Sequence, residues 1–581
     1  MWTSIVNFIH DTQPSTGRGL VITIGWSFVV LYLILKSVVE KAWGAAGINR
    51  RNMIKNDQLR KKRFEAIRER IDRSEAALER YAEILKLNFF ELKEALQNDR
   101  LSATAVLNAY LWKAFEVNEK TNCIIEFLIE SFDEAENLDQ KWHLKPNKPP
   151  LFGLPFSVKG NFYMKGYDCC IGLAKNLFKP MQTECTLVTH LRNQGAVPFV
   201  MTNVPQALLS FTCSNSVYGT TSHPKDANRT PGGSSGGEAA LLSSGGCVFG
   251  TGSDLAGSLR IPAVMCGLVT LKPSESRFVV YNAQGSLPGK GRIGLGFGFL
   301  TKSVEELKFL TSDVLGTPEY HKLVSKSAPL PLSSTRIEQC SKRKLRIGYY
   351  VDDGFMKPVP ALERTTQETV EYLREAGHEM VRFHIPQPHL AASLFYKNLL
   401  PDGGELLRRM YSGEVITPYM KRFVFMLKIP KVIRTVASWL LSSISPQLSL
   451  IAGSTVSDLG DLRYTQQLTD QYIKDFINEW KLFELDVLIC PAFTGKICSY
   501  ITIYIVVPSV PHQYPSQLSM CGFATGLYSM LDFPVGIVPT REVTKEDDAL
   551  LEDENYWPVG MCMKCLLPSD LTLCILFSNY T

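Results

Sequence analysis

Apolar and polar positions divide the chain into stretches of different period. Gly19 to Leu35 is a run of 17 residues without a charge. As a helix it extends about 26 Å, close to a hydrocarbon core of about 30 Å. Lys36 can snorkel, and Val38 and Val39 lengthen the apolar part. This predicts a transmembrane helix over 19–39, after a short N-terminal segment 1–18. A cleaved signal peptide, which wants a basic start that is missing here, and a merely buried helix are the rival readings. From 54 to 87 the chain is rich in charge, with Leu59, Ile67, Ile71, Leu78 and Leu85 at near-helical spacing. That predicts one long amphipathic helix. Leu92, Leu96, Val106, Leu111 and Phe115 mark two more helices between Asn88 and Cys123.

Farther on, Leu345–Val351 and Met380–Phe383 read as strands around a helix over Ala361–Ala376 that Gly377 ends. This rhythm argues for layered α/β/α architecture. Tyr419 to Leu448 breaks it. Lys421, Arg422, Lys428, Lys431 and Arg434 interleave with aromatic and aliphatic residues, and Pro430 splits the run in two. Such a composition suits helices lying on a membrane surface, with two core-packed helices as the alternative.

Composition changes this picture little. The chain has 581 residues, 45% hydrophobic and 20% charged, so one large domain with appendages fits. A net charge of +5 without a dense basic patch gives no reason to expect a nucleic acid partner. Positive charge does matter beside the apolar run. Lys36, Lys41, Arg50, Arg51 and Lys55 follow it, which places the main domain in the cytosol. The 14 cysteines have no disulfide-like rhythm and suggest a reducing compartment. Cys562-Met-Lys-Cys565 is a lone pair, and the histidines have no metal-ligand spacing, so neither metal nor cofactor is expected.

Candidate chemistry lies in Gly232–Pro262, where roughly a third of residues are Gly against a usual share of about 7%. Interior glycines oppose a regular helix, while Ala239–Leu242 and Cys247–Phe249 are apolar enough to bury. A loop, a short buried helix and a second loop ending at Ser258 are expected. A phosphate loop fits poorly, because the Gly-Lys-Ser/Thr ending is missing. A serine nucleophile beside backbone N–H groups fits better. Upstream, Leu154-Pro-Phe-Ser-Val-Lys159 ends an apolar strand on a lysine. Buried beside hydroxyls with no carboxylate partner, that lysine can be neutral and act as a base. A dyad of Ser234 with His223 is the alternative.

Gly232–Pro262, with its Ser-Ser pair, Gly-x-Gly-x-Asp run and closing Ser-Leu-Arg-Ile-Pro, resembles the signature of the amidase signature family. Gly195–Gln206, Leu209–Asn215, Leu485–Pro491 and Leu531–Gly536 are similar to its animal fatty acid amide hydrolases. The resemblance runs from about Asn88 to about Pro539. It implies a mixed central sheet sandwiched by helices within a catalytic domain over 88–581. It also implies Ser258 as nucleophile, Ser234 as proton shuttle, Lys159 as base and Ser235 as the lysine's support. The N–H groups of Leu255, Ala256, Gly257 and Ser258 would form the oxyanion hole. Met201, Leu209 and Phe211 would touch substrate, and Asp254 and Arg260 would support the loop. Ala256 departs from the glycine those hydrolases carry and restricts the backbone there.

The activity implied is hydrolysis of fatty acid amides, N-acylethanolamines and primary amides, by a homodimer on the endoplasmic reticulum or another endomembrane. A membrane cap over 419–448 would admit the lipid amide substrate. Residues 496–520 do not look like the family, and the segment after Glu546 looks shortened. A catalytically impaired lipid-binding relative is therefore the second reading, and a glutaminase-like amidase subunit acting on tRNA is a third.

Overall fold

The computed structural model describes residues 17–287, 289, 291–443, 445–492, 512–513, 521–540 and 543–552, leaving out the side chains of 17–43, 548, 551 and 552. Twelve strands are present among them: β1 Ile124–Phe127, β2 Pro155–Lys159, β3 Val197–Thr202, β4 Ser214–Asn215, β5 Gly219–Thr220, β6 Phe249–Asp254, β7 Val269–Lys272, β8 Gly296–Thr301, β9 Arg346–Tyr349, β10 Glu379–Arg382, β11 Val487–Ile489 and β12 Val535–Ile537.

Seven of them form one mixed sheet in the order β1-β3-β2-β6-β8-β7-β12. Its centre, β3-β2-β6, is parallel, and the remaining pairs are antiparallel. Central parallel strands are covered on both faces, so they read as continuous apolar runs. All five residues of β2 and all six of β3 are buried. The expected β-α-β unit at 345–383 does form, with its helix at Pro360–Glu375. It does not join the large sheet. β10, β9 and β11 make a separate parallel sheet of three strands. Each sheet has its own apolar core. One gathers Phe156, Phe199, Phe249 and Phe299 with the helices at Phe89–Gln97 and Ala103–Thr121. The other gathers Tyr350, Phe383, Phe395, Phe476 and Phe523.

The N-terminal part of the chain is helical. Residues 19–39 lie inside one helix, Gly17–Arg70, whose first side chains fall outside the description. Among the described residues no helix is long and apolar enough to cross a membrane. The helix expected over 54–87 is instead the end of Gly17–Arg70 followed by a separate helix, Glu75–Ile84. The break has a local cause. Asp72 Oδ1 accepts the Ser74 N–H at 2.8 Å, and Ser74 Oγ caps Ala77 N–H, so both side chains compete with helical bonding.

The predicted surface run becomes three helices rather than two: Lys421–Leu427, Lys431–Leu441 and Pro446–Gly453. Pro430 sits at the N-cap of the second, where its missing N–H costs nothing. The Cys562/Cys565 pair and most of 496–520 lie outside the described residues. The helix Lys545–Glu552 is present, and Asp547 receives Arg364 Nε at 2.9 Å and Nη2 at 2.7 Å.

Candidate active site

The centre of the large sheet ends on a charged residue. Lys159 closes β2 and has no exposed surface. Its Nζ lies 2.9 Å from Ser234 Oγ, 2.9 Å from Ser253 Oγ and 3.0 Å from the Ser253 carbonyl. A neutral amine can use all three partners, donating to the carbonyl and one hydroxyl and accepting from the other. Among the described residues no carboxylate bonds to it. Burial pulls the lysine from 10.5 to about 7, although the fields of Asp254 and Glu238 work the other way. That shift is worth on the order of 5 kcal/mol against the charged form.

Ser253 had no place in the expected site, and Ser235 did. The structure exchanges them. Ser253 carries the lysine, and its Oγ also accepts from Asn161 Nδ2 at 3.2 Å. Ser235 Oγ is buried without a hydrogen bond among the described residues. It is the Ser235 backbone that works, donating its N–H to the Ser258 carbonyl at 3.1 Å. This bond ties the Ser234 turn to the Ser258 loop. Among the described residues no hydrogen bond joins the Ser234 and Ser258 hydroxyls to each other. Lys159 and Ser234 are buried and Ser258 is half-buried, so the outermost of the three is the residue that would meet substrate.

What was expected as a second loop is partly β6, a buried strand despite its glycines. Beyond it the chain folds around one ion pair. Asp254 accepts Gly257 N–H at 2.6 Å, Leu259 N–H at 3.1 Å, and Arg260 Nε and Nη2 at 2.9 Å each. Burial alone would raise the Asp254 carboxyl, but the Arg260 guanidinium holds it well below the usual range. Arg260 continues to the Thr525 carbonyl and to Ser529 Oγ, both at 2.8 Å. Thr525 Oγ1 donates to the Ala256 carbonyl at 2.6 Å. Helix Gly522–Met530 thus clamps the loop from the second core.

The oxyanion set needs one correction. Gly257 N–H is committed to Asp254, because a buried carboxylate so close takes the donor. Among the described residues Leu255, Ala256 and Ser258 keep N–H groups with no hydrogen-bond partner. Ala256 causes no backbone conflict, since the left-handed φ of the turn, +120°, falls on Gly257. A Cβ on Gly257 would lie 2.5 Å from Thr525 Oγ1.

The three substrate positions separate. Phe211 packs with Leu255 and Ala256 at the second core. Leu209 packs with Leu407, Met420 and Leu427 at the base of the surface helices. Met201 does not face them. It is 1% exposed in β3 and belongs to the core of the large sheet. The histidine alternative also fails on geometry. His223 Nε2 engages the Met265 carbonyl at 2.9 Å and Nδ1 accepts the Lys225 N–H at 3.2 Å, leaving no nitrogen for Ser234. Among the described residues no group of His, Cys, Asp and Glu could hold a metal ion.

The amidase family profile matches residues 105–565, which takes in every part of this site. The chain belongs to the amidase family. Among curated amidases it is 34% identical over 469 residues to fatty acid amide hydrolase 1 of Caenorhabditis elegans, covering 81% of this chain and 80% of that one. It is 33% identical over 472 residues to fatty-acid amide hydrolase 1 of Sus scrofa, covering 81% and 77%. A solved fatty acid amide hydrolase superposes with a TM-score of 0.68 over 88% of both chains at 22% identity, which speaks to the amidase fold. This amidase is therefore an amide hydrolase related to the fatty acid amide hydrolases, with the mixed α/β fold of that family.

Proposed function

We propose that this amidase hydrolyses fatty acid amides at a membrane, using Lys159 as base, Ser234 as shuttle and Ser258 as nucleophile. The observation that carries the reading is a fully buried lysine, drawn toward neutrality, hydrogen-bonded to Ser234 and to no carboxylate. In the reaction Lys159 takes the Ser234 proton while Ser234 takes that of Ser258. The Ser258 oxygen attacks the amide carbonyl, and the free N–H groups of Leu255, Ala256 and Ser258 receive the developing oxyanion. The proton returns along the same path to the leaving nitrogen, which releases the amine and leaves an acyl-enzyme for water.

A lipid substrate class is supported by the surface helices. Phe425, Val432, Ile433, Val436, Trp439 and Leu440 are exposed there beside Lys421, Lys428 and Lys431. That is the make-up of a face lying at the headgroup boundary. With the apolar run 19–39 as anchor, the catalytic domain would face the cytosol from an endomembrane such as the endoplasmic reticulum. N-acylethanolamines and primary fatty amides are the proposed substrates.

The purified full chain in vesicles should release free fatty acid from a long-chain primary amide, and Ser258→Ala should release none. Equal cleavage by the Ser258→Ala protein, or none by either, would overturn the proposal.

A further inference from the structure

One buried ionisable side chain beside the relay has no part in it. Glu238 lies in helix Gly236–Ser243, just past the Ser234 turn, and is fully buried. Its Oε1 receives Thr202 Oγ1 at 2.9 Å, and its Oε2 is hydrogen-bonded to Ser157 Oγ. Both partners bear on Lys159. Ser157 precedes it by two positions on β2, so the two side chains leave the same face of the sheet. Thr202 is its register partner on β3. The third wall is Gly250 on β6, where a Cβ would stand 2.1 Å from Glu238 Oε2. Three central strands thus leave a space shaped for one carboxyl, and no ion pair fills it: Lys159 bonds only to hydroxyls and a carbonyl.

We propose that Glu238 is a positioning residue for the amidase reaction, staying protonated at neutral pH so that Lys159 has no counter-ion and remains able to accept a proton. The proposal rests on the reading of Lys159 as base. Burial pushes the Glu238 carboxyl up to about 8, against the pull of its hydroxyl partners and of Lys159. The other groups facing it are the thiols of Cys247 and Cys123, both pushed up by burial and uncharged. Lys159 also feels Asp254, paired with Arg260, and the Cys213 thiol, pushed up by burial.

The hydrogen bonds suit the neutral form. A protonated carboxyl can donate to Ser157 Oγ, whose own hydrogen reaches Cys247 Sγ 3.4 Å away. An ionised Glu238 would hold a proton on Lys159 and delay its action to higher pH. Helix and sheet therefore place beside the base a carboxyl whose protonation decides whether the base is free.

The test is the rate of covalent labelling of Ser258 by a fluorophosphonate, measured over a pH series on the full chain and on Glu238→Gln. Glutamine keeps the shape and can never ionise. The rising limb of Glu238→Gln should stay within about 0.2 unit of the parent's, because a neutral amide replaces a neutral carboxyl, with the plateau within about threefold of the parent. Thr202→Val, which removes a donor favouring the ionised form, should likewise leave the limb in place, and serves if Glu238→Gln fails to fold. At neutral pH the infrared difference between parent and Glu238→Gln should show the loss of a protonated carboxyl; a limb moved to lower pH by about half a unit or more, or no such carboxyl band, would show that Glu238 is ionised and overturn the proposal, while the relay reading stands. A parent chain that never labels overturns both readings.

Discussion

Two stretches of this chain mix lysine with apolar residues, and they end in opposite places. In Leu154–Lys159 the lysine is wholly buried, and around it stand Ser234, Ser253 and the Ser253 carbonyl. In Tyr419–Leu448 Lys421, Lys428 and Lys431 are exposed, and so are Val432 (74%) and Trp439 (75%) beside them. The difference lies in what the rest of the chain supplies. A buried amine is tolerable when polar partners fit its neutral form, because desolvation penalises only the charge. Among the described residues the face that carries Val432, Val436 and Trp439 has no apolar cover, so it remains suited to something outside the chain. One lysine is enclosed by hydroxyls, and the others lie on a surface.

The sharpest way to break this contrast is at the buried lysine. Lys159→Ala should lower kcat by about 10³-fold or more with little change in KM, because base catalysis alone contributes 10²–10⁴-fold. Steady-state kinetics on a soluble amide would measure it. In the parent protein activity should rise with pH through about 7, since the folded lysine must lose its proton to act. A profile falling through that range would contradict the assignment.

Next comes the ion pair that shapes the loop. Arg260→Met leaves Asp254 buried and unpaired, and breaking a buried pair costs about 3–5 kcal/mol. Urea unfolding should register that loss. On the surface side, Trp439→Asp combined with Val432→Asp should weaken vesicle binding about 10–100-fold, the scale of burying one large apolar side chain. Turnover of a short soluble amide should stay unchanged. Parallel loss of both activities would mean that the helices support the core rather than a membrane. The smallest effect is expected from Thr525→Val, which removes one hydrogen bond to the Ala256 carbonyl. A loss of roughly 1 kcal/mol, read as several-fold in kcat, is the expected size.

What could be read beforehand was local. The Gly-rich stretch and the strand ending on Lys159 carry their meaning within a few residues each, and Lys159 and Ser234 meet in space. The parts that could not be read depend on distant pairings. Thr525 and Ser529 meet Arg260 across more than 260 positions, and nothing around them announces a clamp. Ser253 was visible as a serine but not as the lysine's partner, because glycine-rich β6 looks like a loop until β2 and β8 flank it. Ser235 misled for the opposite reason, since the pair Ser234–Ser235 is adjacent in sequence while only one hydroxyl turns toward the base. Glu238 carries no signal of its own in the sequence, and only the sheet beneath it makes it a buried acid.

The most direct measurement is fluorophosphonate labelling of the full chain, with the modified peptide located by mass spectrometry. The account predicts one adduct, on Ser258, lost in Ser258→Ala and strongly slowed in Lys159→Ala. Labelling at another serine, or labelling of Ser258 at the same rate without Lys159, would contradict it.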